Sequence, residues 1–170
     1  MQNYKAPIRG FSAKEFETRL ANAQKIMQVY QLDSLLVTTP QNIRYFTGYD
    51  SQFWESPTRP WFVVIPATSK PIAIVPEIGE SEFNKTWLDE IRTWPSPRPE
   101  DEGVSLLKAT LENLKKTHGN VGAEFGKEMT IRMPVKDLEK LRKTINLNII
   151  DGSDALWDIR MVKTNAEIEH

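Results

Sequence analysis

Cysteine is absent from this 170-residue chain. Disulfides, thiolate metal sites and cysteine nucleophiles are therefore excluded. Histidine is scarce, with only His118 and His170. His118 has no second histidine or carboxylate at the i+3 or i+4 spacing of a helical ligand pair. No Gly-x-Ser-x-Gly elbow occurs, and no glycine-rich phosphate loop precedes a helix. The net charge of -1 provides no field for nucleic acid or anionic lipid. No apolar run approaches the ~20 residues of a membrane span, and the first residues lack the apolar core of a signal peptide. The expectation is a cytoplasmic protein with no nucleic-acid or membrane partner.

What the chain does have is periodicity. Ser12 with Glu15 forms a capping box, and Phe11 with Phe16 a hydrophobic staple. Phe16, Leu20, Ala23, Met27 and Tyr30 then make an apolar stripe, which predicts a helix to about Gln31. Residues 34–39 read as a buried strand stopped by Pro40, and residues 41–46 as a helical turn ending near Gly48. Residues 61–65 and 71–75 predict an antiparallel hairpin. A helical segment over 80–87 and a strand over 90–94 follow. The next helix is expected over 101–118, with acids at its start and Gly119 at C′. A strand over 121–125 follows. A third helix has Pro134 at N1 and Val135, Leu138, Leu141 and Ile145 inward. Residues 147–150 form a last strand, and a short helix runs from Asp154 to about Met161. Alternating helices and strands predict an α/β layered domain, and the hairpin makes its β-sheet mixed.

Three segments carry a resemblance. They are Asp33-Ser-Leu-Leu-Val-Thr-Thr-Pro-Gln-Asn-Ile-Arg-Tyr-Phe-Thr-Gly-Tyr49, Val121-Gly-Ala-Glu124 and Arg160-Met-Val-Lys-Thr-Asn-Ala-Glu-Ile168. In this order and spacing the chain resembles the N-terminal domain of the creatinase/prolidase/aminopeptidase P family over about residues 11–170. The last segment is similar to the family's junction into its metallohydrolase domain. The resemblance implies a three-layer α/β/α domain with a mixed β-sheet that mediates oligomer contacts and covers a neighbouring subunit's active site. It also implies a C-terminal catalytic domain that binds two divalent metal ions in the peptidases, and none in creatinase. Physically, Asn42 can bond its own backbone in a turn, and Tyr45 and Phe46 can pack beneath the sheet end. Ligand contact by Asn42 and Tyr45 is the alternative.

Thr164 and Glu167 form another capping box at the start of an apolar face. The chain thus reads as the front of a longer protein, with an irregular arm over 1–10, the domain over 11–160 and the start of a linker or helix over 161–170. Residues after Arg160 are expected to be poorly packed. The loop over 52–60 is the foremost candidate for function. Phe53, Trp54 and Arg59 lie where the resemblance places a substrate-access loop acting in trans. Arg59 suits a carboxylate through a two-pronged contact. The alternative is local packing of Trp54 and a surface ion pair for Arg59. His118 suits a helix-terminal cap, and Glu100 to Glu102 suit the start of a helix.

The reading is a non-catalytic domain of a creatinase/prolidase-type hydrolase, with no catalytic residue, metal ligand or cofactor of its own. Its expected partners are its own catalytic domain and a second subunit in a homodimer. The parent substrate is expected to be an Xaa-Pro peptide or a related small amide. The alternative is a stand-alone protein- or peptide-binding module, like non-catalytic members of the fold.

Overall fold

The computed structural model describes residues 10–52 and 59–169. Six strands form one mixed sheet: β1 (Ser34–Val37), β2 (Phe62–Pro66), β3 (Ile72–Pro76), β4 (Glu90–Trp94), β5 (Asn120–Ala123) and β6 (Asn148–Asp151). Their order is β4-β3-β2-β1-β5-β6. β1, β2 and β3 are antiparallel neighbours, with Leu35 opposite Ile65 and Val63 opposite Ala73. β4, β5 and β6 add in parallel, β4 beside β3, β5 beside β1 and β6 beside β5.

Strand period 2 divides the core between the two faces. Leu35, Val37, Val63, Ile65, Ala73 and Val75 pack on one face. There they meet Leu20, Ala23 and Met27 of α1 (Ala13–Val29), Ile43 and Phe46 of α2 (Pro40–Thr47), and Leu156 and Ile159 of α6 (Ser153–Met161). Leu36, Phe62, Val64, Ile72, Ile74, Val121 and Ile149 pack on the other. They meet Leu107 and Leu111 of α4 (Val104–Asn113), and Leu138 and Leu141 of α5 (Val135–Thr144). Helices therefore cover both faces, as the resemblance implies. The short α3 (Glu80–Phe83) follows a 3-10 turn over Glu77–Gly79, and α7 (Asn165–Glu169) ends the described chain.

The differences from the sequence-based expectations have local causes. β1 ends at Val37 rather than Thr39, because the amides of Thr38 and Thr39 turn to a side-chain acceptor, Glu124. α4 is shorter than 101–118 and ends at Asn113, with Leu114 extended. The buried Asp33 carboxylate accepts from the amides of Thr117, His118 and Gly119, which holds that segment as a turn. Gly119 has the left-handed φ of 75° expected of it, but in this turn rather than at the helix end. His118 is exposed there and does not cap α4. Pro134 is the N-cap of α5 rather than N1, and Val135 is 71% exposed instead of inward. The buried stripe is Leu138, Leu141 and Ile145. Asp101 serves the start of α4 by accepting from the Ser105 amide. Glu102 instead accepts from Trp94 Nε1, Ser96 Oγ and the Arg98 amide, pinning the proline-rich loop. The helix expected over 80–87 stops at Phe83, and Trp87 Nε1 donates to the carbonyl of Phe46 at 2.8 Å.

Candidate functional site

The parallel strands β1 and β5 end side by side, and the polar centre of the domain lies just beyond them. Glu124 follows β5 and is fully buried. Its Oε2 accepts from the amide and hydroxyl of Thr38 at 2.6 and 2.8 Å, and from the Thr39 amide at 2.9 Å. Its Oε1 accepts from the Thr39 hydroxyl and from Asn42 Nδ2, both at 2.6 Å. A carboxylate only accepts, and every group in this shell donates to it. Hydrogen bonds to the charge stabilise it by about 1.5–3 kcal/mol each, which offsets desolvation.

Asn42 transmits this centre outward. Its Oδ1 accepts from Arg160 Nη1 at 2.8 Å. The residue does not bond its own backbone in the manner expected of it: its side chain joins a buried carboxylate to a guanidinium on α6. Thr38 extends the network the other way, its hydroxyl accepting from the Arg132 amide at 2.8 Å. Thr39 also caps α2, and Gly48 ends that helix at a φ of 75°. A Cβ on Gly48 would lie 2.8 Å from the Phe16 ring, so both the backbone angle and the close approach require glycine.

A second centre lies on α1. The Arg19 side chain is 2% exposed. Nε donates to Glu15 Oε1 at 3.0 Å, and Nη1 donates to the carbonyl of Tyr45 at 3.0 Å. The guanidinium carbon lies 3.9 Å from the Phe11 ring centroid and 4.6 Å from that of Tyr45. A cavity of about 550 Å³ opens beside it, walled by Phe16, Arg44, Tyr45, Arg160 and Glu167. Burial, then the nearby Glu167 charge, pushes the Tyr45 phenol up to about 12, against the pull of Arg19 and Arg160. Tyr45 therefore stays a neutral wall of this cavity.

Phe53 and Trp54 of the proposed access loop lie outside the described residues. The base of that loop is clamped, since the buried rings of Tyr49 and Trp61 stack at 5.5 Å and Tyr49 stacks on Phe83 at 4.0 Å. Arg59 is half-buried, and among the described residues its Nε has no hydrogen-bond acceptor. It lines a cleft of about 330 Å³ with Pro60, Ile131, Arg132 and Met133. Its charge also helps to hold Glu102 below the usual carboxylate range. There, burial pushes the carboxyl up, but the donors from Trp94, Arg98 and Ser96 outweigh it. The structure thus brings Arg59 to the Arg132 side of the Glu124 network, away from the Arg19 cavity.

Sequence reasoning missed the roles of Glu124 and Arg19. An acid closing an otherwise apolar strand was the available signal for Glu124, and an arginine one place from the apolar stripe was the signal for Arg19. Among the described residues, no three His, Asp or Glu side chains cluster as a metal site. No described helix is long and apolar enough to cross a membrane.

Known proteins of similar sequence and fold share this arrangement of strands and helices. The family model described as Creatinase/Prolidase N-terminal domain matches residues 19–162. The chain is 27% identical to the "Uncharacterized hydrolase/peptidase y4tM" of Sinorhizobium fredii, over 96% of this chain and 42% of that protein. It thus spans less than half the length of that relative. Among solved structures, dipeptidase PepE from Mycobacterium ulcerans superposes with a TM-score of 0.69 at 21% identity, over 94% of this chain and 40% of that one. The Creatinase/Prolidase N-terminal domain of an X-Pro dipeptidase from Streptococcus pyogenes gives 0.61 at 16% identity, over 87% of this chain and 99% of that one.

Proposed function

Because the chain belongs to the creatinase/prolidase N-terminal domain family, we propose that it is the non-catalytic domain of a cytoplasmic hydrolase acting on Xaa-Pro peptides or related small C–N bonds. One observation carries this reading. The chain matches nearly all of a separately solved N-terminal domain of an X-Pro dipeptidase, but only 40% of the longer chain of dipeptidase PepE. In this reading catalysis, with its two divalent metal ions, belongs to a C-terminal domain. The present domain contributes contacts between subunits of a dimer. Its loop over 52–60 shapes entry to the neighbouring subunit's active site.

Arg59 supports the last point by its chemistry. It is a guanidinium with a buried Nε that no acceptor takes among the described residues, and it stands beside a loop whose base is held by stacked rings. A substrate carboxylate would satisfy that donor. Phe53 and Trp54 would supply apolar cover.

The test compares two proteins. The 170-residue chain should not hydrolyse Xaa-Pro dipeptides, with or without added Mn²⁺, Co²⁺ or Zn²⁺. The longer protein containing it should do so. In that protein, Arg59→Ala should weaken kcat/KM on substrates with a free carboxylate by roughly 1.5–3 kcal/mol. Turnover by the short chain alone would overturn the non-catalytic assignment. Full activity of Arg59→Ala with a large drop in Tm would make Arg59 structural.

A further inference from the structure

α7 buries none of its residues, yet it has a definite place. Ile168 is 72% exposed, and Met161 and Val162 before the helix are also exposed. The apolar side chains therefore do not hold it, in keeping with the loose packing expected after Arg160. The polar groups do, which that expectation left out. The capping box forms in full: the Thr164 amide donates to Glu167 Oε2 at 2.9 Å, and the Glu167 amide donates to Thr164 Oγ1 at 3.2 Å. The box is also tied to α1. Thr164 Oγ1 donates to Glu15 Oε1 at 2.7 Å. Glu167 Oε1 lies 3.4 Å from Arg19 Nη2, within ion-pair distance but not aligned as a hydrogen bond.

Two observations make this more than a surface pairing. The first is the burial of Arg19. A buried guanidinium is costly unless its donors are met. Glu15 and the Tyr45 carbonyl meet Nε and Nη1, and among the described residues Glu167 is the anion paired with Nη2. The second is the double use of Glu15. Its Oε1 holds both Arg19 and Thr164, so the α1 ion pair and the α7 cap share one atom. The sequence-based capping box at Ser12 uses the Ser12 hydroxyl as expected, at 3.3 Å from the Glu15 amide. The Glu15 carboxylate, however, turns to Arg19 and Thr164.

We propose that Glu15 and Arg19 form a polar latch that seats the Thr164–Glu167 capping box on α1 and so sets the direction in which the chain leaves this domain. They are positioning residues, acting through α7. The latch is inferred from these contacts alone. Only its consequence, orienting a domain C-terminal to α7, rests on the functional reading above.

The test uses the 170-residue chain and residue-resolved amide exchange. The reporters are the Glu167 and Ile168 amides, bonded to the hydroxyl and carbonyl of Thr164. Glu15→Gln should speed their exchange about tenfold, as release of a locally held segment does. Glu167→Gln should do the same. Glu167→Gln should leave the sheet amides and Tm little changed, since α7 covers no core, whereas Glu15→Gln also takes an anion from the buried Arg19 and should lower Tm as well. Arg19→Lys should release α7 as well, because one ammonium cannot span Glu15, the Tyr45 carbonyl and Glu167 together. Should Arg19→Lys fail to fold, the two glutamine variants still decide the matter. Combining Glu15→Gln with Glu167→Gln should add little to either alone. Exchange within twofold of the parent chain in both single variants would overturn the latch, and so would additive effects. Hydrolysis by the longer protein does not enter this result, so the latch and the proposed function fail separately.

Discussion

Glu124→Gln should be among the most damaging single-atom changes available in this domain. The side chain keeps its shape, but one oxygen becomes a donor. If the new amide nitrogen takes the Oε2 position, it faces the fixed backbone amides of Thr38 and Thr39. Both would then lose their acceptor. If it takes the Oε1 position, the Thr39 hydroxyl can turn, but Asn42 Nδ2 now meets a donor. Flipping the Asn42 amide would only move the conflict, because its oxygen already accepts from Arg160. Either orientation leaves at least one buried donor without an acceptor, at ~1–3 kcal/mol. The remaining bonds fall from charge-assisted to neutral, losing about half their strength. Together these give a loss of roughly 3–5 kcal/mol. Urea unfolding followed by tryptophan fluorescence reads this directly. At an m-value of about 1–3 kcal/mol/M the midpoint should fall by roughly 2 M with little change in slope. A loss under ~1 kcal/mol would refute the account. The network would then be a consequence of the fold with little share in holding it.

Other outcomes come from burial and charge. Burial tends to raise the carboxyl of Asp33, but the amides of Thr117, His118 and Gly119 outweigh it and hold the group below its ordinary value of 3.8. A depressed carboxylate contributes stability that is present above the unfolded pKa and is lost as pH falls through the folded one. Unfolding midpoints should therefore drop below about pH 4, and Asp33→Asn should lower the neutral-pH midpoint while flattening that acid limb. An unchanged acid limb in Asp33→Asn would remove Asp33 as its source. Leu107→Ala and Leu111→Ala should each cost ~2–5 kcal/mol in urea unfolding, because both side chains are buried under the sheet. Gly152→Ala should cost ~1–3 kcal/mol, since the new methyl would sit 2.8 Å from the Gly122 backbone, which has no side-chain end to yield. A neutral Gly152→Ala would mean that β5 and the start of α6 shift apart easily.

The layers of this domain were legible because their signals are local. Residues 61–65 and 71–75 are apolar, close in sequence and separated by a polar turn, so their pairing as β2 and β3 needs no distant information. Leu107 and Leu111 lie one helical turn apart and face the same layer. The end of α4 was not legible. Lys115, Lys116 and Gly119 form an ordinary helix-stop pattern, but the group that decides their conformation is Asp33, 84 to 86 positions earlier. Val135 misled for a related reason, since its facing depends on whether Pro134 is N1 or N-cap, a difference of one residue.

The two polar centres were illegible for the same physical reason, and that reason bears on what they do. Glu124 meets Thr38, Thr39 and Asn42 across 82 to 86 residues, and Arg160 meets Asn42 across 118. Glu15 meets Thr164 across 149. No short window along the chain contains both partners of any of these pairs. Each short segment holds only half of a buried polar contact, which alone would be an unmet donor or acceptor. Apart from Glu15 on α1, these residues fall in the segments whose pattern resembles a family signature, and the structure shows why they belong together. Pro40 to Gly48 sets α2, Glu124 anchors its first turn, and Arg160 fastens α6 to Asn42. Beyond Arg160, Glu15 and Arg19 hold the next turn of chain. The β1–β5 strand pair, the second helix and α6 are thereby linked by hydrogen bonds as well as by apolar packing, and at α7, which buries no residue, only the directional contacts remain.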